Sequence, residues 1–137
     1  MKKDCIGNDI RILSHQIHRW IENSPNKKKI DSVTGANAWI IGYISDKTKN
    51  NEDVFQKDLE KNFEITRSTA SKVVNLMVEK GMVERQSVPW DARLKKLVLT
   101  DKGREINELM LEDFSVVEET LSKGFSEQEL EQFFDYI

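Results

Sequence analysis

Asp53-Val-Phe-Gln-Lys-Asp-Leu-Glu-Lys-Asn-Phe-Glu-Ile-Thr-Arg-Ser-Thr-Ala-Ser-Lys-Val-Val-Asn-Leu-Met-Val-Glu-Lys-Gly81, followed at once by Met82-Val-Glu-Arg-Gln-Ser-Val-Pro-Trp-Asp-Ala-Arg-Leu-Lys-Lys-Leu-Val-Leu-Thr-Asp-Lys-Gly103, is the stretch that decides the fold. In its first part Val54, Phe55, Leu59 and Phe63 are apolar while Gln56, Lys57, Glu60 and Lys61 are polar, the spacing of a short helix from Val54 to Asn62 with its polar side in water. Glu64-Ile65 is a turn. Thr66 can cap a second helix, because its hydroxyl accepts from an unpaired amide of the first turn. That helix repeats apolar residues at Ala70, Val73, Val74, Met77 and Val78, and it stops at Gly81, a residue that accepts the left-handed backbone common at helix C-termini.

After Gly81 the period changes to alternation. Met82–Val88 and Lys95–Thr100 read as antiparallel strands joined by the charged loop Pro89–Leu94. Thr100-Asp101 opens another helix, with the hydroxyl as cap and the carboxylate at the positive end of the dipole. Two short helices, a ribbon with a basic tip and a helix start make a winged helix-turn-helix, an arrangement that reads DNA.

Outward from this unit the chain is helical. Ile6, Ile10, Leu13, Ile17, Trp20 and Ile21 recur at three and four, an amphipathic helix that ends near Asn23-Ser24, where Pro25 disfavours further helix. Lys27-Lys28-Lys29 reads as a solvated loop. A helix from about Thr34 to Ser45, apolar on most sides through Ala36, Ala38, Trp39, Ile40, Ile41, Tyr43 and Ile44, belongs in the middle of the molecule. Asp46–Glu52 is a loop. Beyond the stretch, Ile106, Leu109, Met110, Phe114, Val117 and Leu121 form one face of a long helix that closes at Lys123-Gly124. Ser126 and Glu129 have the spacing of a capping box for a last helix carrying Leu130, Phe133, Phe134 and Ile137. The expected fold is mainly α with a small β-ribbon: one domain over residues 1–137, in which a winged helix-turn-helix (53–103) is flanked by N- and C-terminal dimerisation helices (1–30 and 104–137). The terminal apolar faces exceed what the small winged unit can cover, and pairing with a second copy as a homodimer resolves this.

Composition agrees with a soluble helical protein: 38% of the residues are hydrophobic, 33% are charged, and there are only two Pro. The N-terminal Lys2 and Lys3 precede a polar run without an apolar core, so no signal peptide is expected, and no apolar run reaches the roughly 20 residues a membrane span needs. The expected location is cytoplasmic. The net charge of −3 conceals a division. Residues 1–52 hold nine Lys/Arg against six Asp/Glu, residues 53–104 eleven against eight, and residues 105–137 one against ten. A tail at −9 therefore masks +6 elsewhere, and phosphate contact follows the local field rather than the sum. There is no Ser/His/Asp set, phosphate loop or metal-ligand cluster, so neither an enzyme nor a cofactor is expected.

If the helix after Thr66 enters a major groove, its buried side is fixed by Ala70, Val73 and Met77, which turns Arg67, Ser68, Thr69, Ser71, Lys72 and Asn75 outward or sideways. Arg pairs with guanine, Ser and Thr reach bases or phosphates, and Lys neutralises phosphate. Arg93 at the ribbon tip, with Lys95 and Lys96 behind it, is placed for a narrow minor groove. Asp91 can hold its guanidinium or the turn, and Trp90 can pack on the ribbon base or flank the phosphate backbone, packing being the expectation.

The run Asp91-Ala-Arg93-Leu-Lys95-Lys-Leu-Val-Leu99-Thr100-Asp-Lys-Gly103, with the preceding Gln-Lys-Asp-Leu helix and the Leu-Met-Val-Glu-Lys-Gly-Met-Val-Glu-Arg helix ending, resembles the MarR (multiple antibiotic resistance regulator) family over essentially the whole chain. The resemblance implies a homodimeric, sequence-specific transcriptional regulator, usually a repressor, that reads a palindromic double-stranded operator. Ser68, Thr69, Ser71 and Lys72 would lie on the recognition helix and Arg93 would be the minor-groove arginine. Ala92 stands where many members have a second basic residue. The resemblance further implies release by a small aromatic or phenolic effector, for which His18, Trp39 and Tyr43 are the amphipathic side chains available. Some members sense peroxide through a first-helix cysteine. Cys5 is near that place, without a tyrosine at helical spacing after it. His15 and His18 are three apart, with no carboxylate or thiol evidently sharing their face for zinc. An alternative of another class is a winged-helix protein–protein interaction module, without specific DNA binding, whose acidic last helix docks a basic partner.

Overall fold

The computed structural model describes residues 5–137, so Lys2 and Lys3 lie outside the described residues. In chain order the elements are α1 (Ile6–Glu22), α2 (Lys27–Thr34), a 3-10 turn (Gly35–Asn37), α3 (Ala38–Lys49), α4 (Gln56–Asn62), α5 (Arg67–Glu79), β1 (Val83–Val88), β2 (Asp91–Leu99), α6 (Asp101–Ser122) and α7 (Glu127–Tyr136). Mainly helical, with one antiparallel ribbon, this is a winged helix-turn-helix with helices on either side.

The centre is α3, whose Ile40, Ile41 and Ile44 are fully buried. Around them pack Leu59 of α4, Val74 and Met77 of α5, Val83 of β1, Leu97 and Leu99 of β2, and Ile106 of α6. Burying each such side chain stabilises the fold by about 1.5–3 kcal/mol before entropy is charged against it. The hydroxyl caps form as their spacing predicts: Thr66 accepts from the Thr69 amide, Thr100 from Gly103 and Ser126 from Glu129. Glu129 completes the box by accepting from the Ser126 amide at 2.8 Å.

The end of α5 and the start of α6 are joined by their unpaired polar groups. Gly81 turns the chain at φ +75°. Its carbonyl then accepts from the Thr100 hydroxyl at 2.5 Å, and the Lys80 carbonyl accepts from the Lys102 ammonium at 3.0 Å. Carbonyls left over at one helix end are thus satisfied by groups at the start of another. On the far side of the ribbon, the Leu97 amide donates to the Val54 carbonyl at 2.7 Å, which fixes the wing to the chain entering α4. Val54 lies outside the helix and Phe55 is extended, so α4 begins only at Gln56, where Asp58 accepts from the Phe55 amide at 2.8 Å.

Two other expectations are corrected. Lys27–Lys29 is the first turn of α2, not a loop, because Ile30 and Thr34 bury one side of that helix and Lys27 pairs with Asp31 one turn on at 2.8 Å. The Thr34–Ser45 helix is interrupted: Thr34 ends α2, Gly35 takes φ +58°, and α3 starts at Ala38 and runs on to Lys49, through what reads in sequence as loop. The outer helices are tied to the centre by polar contacts. Ser24 donates to Asp113 of α6 at 2.5 Å, Asn26 donates to the same carboxylate at 3.0 Å, and Asn107 of α6 donates to Ser45 of α3 at 2.9 Å.

Candidate nucleic-acid interface

The helix pair α4–α5 turns at Glu64, whose φ of +50° makes the tight link that sets one helix across the other. Along α5, Ala70, Val73, Val74 and Met77 are buried. Arg67, Ser68, Thr69 and Lys72 are exposed, and Ser71 is half-buried at the margin. The division between core and surface therefore runs where the apolar spacing puts it. Asn75 is exposed, and it accepts from the Arg85 guanidinium at 2.5 Å, a bond that braces β1 against α5.

At its tip the ribbon departs from regular pairing. Ser87 is opposite Lys95 but Val88 is opposite Asp91, so Ala92, Arg93 and Leu94 bulge from the ladder. Asp91 organises the bulge: its carboxylate accepts from the Arg93 amide at 2.9 Å and from the guanidinium at 3.3 and 3.4 Å. The Arg93 side chain is nevertheless 91% exposed, a cation held in direction but left in solvent. Lys95 is exposed and donates to Ser87 at 2.8 Å. Lys96, one residue on, pairs with Asp53 at 3.6 Å, since successive side chains of a strand take opposite faces. It is Lys95 that shares a cleft with Arg93. Trp90 does not pack on the ribbon base as expected: it occupies the two-residue turn with Pro89 and is 65% exposed.

Between α4, the start of α5 and the ribbon lies a cleft of about 480 Å³ that gathers Lys57, Arg67, Arg85, Arg93 and Lys95 around a single acid, Glu60. With Asp91 held by Arg93 at the edge, five cations face two carboxylates and leave about +3 in and around one concavity. Such a cluster, with a helix N-terminus beside it, attracts a polyanion. Sequence reading missed Lys57 and Arg85. Lys57 looks like an ordinary solvent-side lysine and Arg85 one strand position among several, and only the fold sets them beside Arg67 and Arg93.

The Arg93 backbone amide, and after it the guanidinium, hold the Asp91 carboxyl below its ordinary value. With the folded value depressed, the Asp91 contribution to wing order is complete above the ordinary aspartate range, about 3.9, and is lost as pH falls through the folded value. Arg93→Ala removes the guanidinium but keeps the amide. An NMR titration of the Asp91 carboxyl carbon is expected to show its midpoint moving only part of the way back; complete return would show that the guanidinium alone organises the bulge.

Of the effector candidates, Trp39 and Tyr43 are brought together on the outer side of α3, with ring centroids 4.2 and 5.2 Å from Phe63. The Tyr43 hydroxyl accepts from Asn62 at 2.8 Å, and burial raises its pKa. His18 is not gathered with them: it stands on α1, its side chain 70% exposed, 3.9 Å from Glu22. Cys5 is exposed at the start of α1. Among the described residues no three His, Cys, Asp or Glu are placed to hold a metal, and no helix is long and apolar enough to cross a membrane.

Residues 32–94 match the model of the MarR family. Among solved structures the chain is similar to the transcription regulator MarR from Oenococcus oeni PSU-1, with 28% identity, 96% of this chain and 95% of that one covered, and a TM-score of 0.65. It is likewise similar to a MepR mutant from a multidrug resistant S. aureus clinical isolate (24% identity, 99% and 94% covered, TM-score 0.77). Another S. aureus MepR mutant, bound to oligodeoxyribonucleotide, is similar at 23% identity, with 98% and 94% covered and a TM-score of 0.68. No curated protein matches the chain.

Proposed function

From the match of residues 32–94 to the MarR family model, we propose that this chain is a sequence-specific double-stranded DNA-binding transcriptional regulator. It acts as a homodimer on a palindromic operator, as a repressor released by a small aromatic or phenolic effector. The observation that carries the reading is the cationic cleft joining α4, α5 and the wing. Arg67, Ser68, Thr69, Ser71 and Lys72 present hydrogen-bonding and charged groups to a major groove, and Arg93 and Lys95 reach the adjoining minor groove and backbone. Lys57 and Arg85 add phosphate contacts. A MepR mutant of similar fold is found bound to oligodeoxyribonucleotide, which agrees with a nucleic-acid partner.

Residues 53–103 are the reading unit of a single domain, and 1–30 with 104–137 are its pairing helices. Support for the pairing comes from α1 and α7, which bury no residue. They leave Ile6, Ile10, Phe134 and Tyr136 between 63% and 78% exposed. For the effector, the half-buried Trp39 and Tyr43 supply an aromatic surface beside the helix pair.

Anisotropy with a labelled duplex from the chain's own upstream region, with and without simple phenolics, tests the reading. Arg93→Ala is expected to weaken binding about tenfold and to reduce the salt slope by about one counterion. Absence of salt-sensitive binding by the unaltered protein would remove the regulator reading. Full binding after charge reversal of Lys72, Arg93 and Lys95 would instead favour a protein–protein module.

A further inference from the structure

Trp90 is a large apolar side chain of the wing that neither the core nor the local backbone accounts for. It is 65% exposed at the tip of the ribbon. The ring–ring contacts among the described residues involve Trp39, Tyr43 and the phenylalanines, not Trp90. Nor does the turn select it. Two-residue hairpin turns favour residues that take positive φ, such as Asn-Gly. Pro89 is confined to negative φ, and Trp90 is not among the residues with positive φ. The bulge at Ala92–Leu94 absorbs the resulting mismatch in twist. An indole carries about 150–250 Å² of surface that gains by leaving water, so its place is explained by what it meets.

The surroundings specify the occupant. Three residues away Arg93 extends into solvent, Lys95 follows it, and both line the cationic cleft. A basic peptide or an apolar protein face would be repelled or left unmatched there, whereas duplex DNA offers phosphates to the cations and sugar edges to the ring. Apolar side chains placed beside arginines in a minor groove make this kind of contact.

We propose that Trp90 is a DNA contact of the wing, its ring lying against sugar and base edges of the minor groove that Arg93 enters. The inference rests on the DNA-binding reading and adds an uncharged contributor to it. Such a contributor has a signature of its own: it changes affinity without releasing counterions.

The test compares the full chain with Trp90→Ala, Trp90→Phe and Arg93→Ala on a labelled duplex from its own upstream region over a series of salt concentrations. Trp90→Ala is expected to weaken binding about tenfold at every salt, with the salt slope unchanged. Trp90→Phe should remain within about threefold of the parent, since the contact needs a flat apolar ring rather than the indole N–H. Melting temperatures should move little, because Trp90 is already 65% exposed. Indole emission should be quenched by DNA in the parent and much less in Trp90→Phe. Binding by Trp90→Ala equal to the parent's, or a fall in salt slope matching that of Arg93→Ala, overturns the proposal and leaves the regulator reading intact. Failure of the unaltered chain to bind duplex DNA overturns both.

Discussion

Gly103→Ala is expected to destabilise the protein by about 3 kcal/mol, seen as a fall of roughly 10 °C in melting temperature. Helix propensity alone predicts the opposite sign, since alanine is favoured over glycine in a helix by about 1 kcal/mol. Packing reverses it. A Cβ at 103 would lie 2.2 Å from the Met82 carbonyl oxygen and 3.3 Å from a Leu99 methyl. That carbonyl cannot withdraw, because it accepts from the Thr100 amide at 3.0 Å and sits at the junction where Gly81 leaves α5. Gly42→Ala supplies the internal contrast. There the nearest atom is the flexible Met110 Cε at 3.7 Å, so a gain of about 0.5–1 kcal/mol is expected. Urea denaturation of the two variants should give shifts of opposite sign, and equal or stabilising shifts would show that the junction is softer than its hydrogen bonds indicate. The glycine three residues after Thr100 thus has two jobs: its amide is capped by that threonine, and its missing side chain lets α6 approach the backbone of Met82.

If the chain pairs as proposed, paired Ile6→Glu and Ile10→Glu substitutions are expected to convert the dimer to a monomer and to lower affinity for a palindromic duplex about a hundredfold or more, the factor that linking two half-sites confers. These two residues are 77% and 63% exposed, one helical turn apart on α1. Carboxylates there cost the isolated chain little, but they would be desolvated without partners in an apolar interface. Sedimentation velocity at micromolar protein reads the assembly, and anisotropy on a full palindrome against a single half-site reads the coupling. A parent that sediments as a monomer, or a variant that remains a dimer with parental affinity, would remove these helices from the pairing role. The acidic residues after Arg104 lie on α6 and α7, outside the basic cleft between α4, α5 and the ribbon.

Particular residues show where sequence reading succeeded. Thr66, Thr100 and Ser126 could each be recognised as caps because a hydroxyl and the amide it serves are three residues apart, a relation wholly contained in the chain. The outward set on α5 was legible because the 3.6-residue period leaves it opposite Ala70, Val73 and Met77. The break at Gly35 was not legible, since an isolated glycine in an apolar run is also tolerated inside a helix. The Lys27–Lys29 run was misread for a related reason: a charge run is usually solvated, and the force that makes it helical here comes from burial of Ile30 and Thr34 against the rest of the chain.

The helices and strands of the winged unit, the caps that delimit them and the face that α5 turns inward are written in the chain, because hydrophobic period and side chain-to-amide reach act over three or four residues; α2 and the break before α3 are not. Which cations share a cleft, why residue 103 has no side chain and where Trp90 stands at the wing tip follow from packing. Lys57, Arg67, Arg85 and Arg93 belong to four different elements, and the Met82 carbonyl meets Gly103 across a turn of the chain. Their electrostatic and steric energies depend on through-space distance, which is fixed when the elements pack.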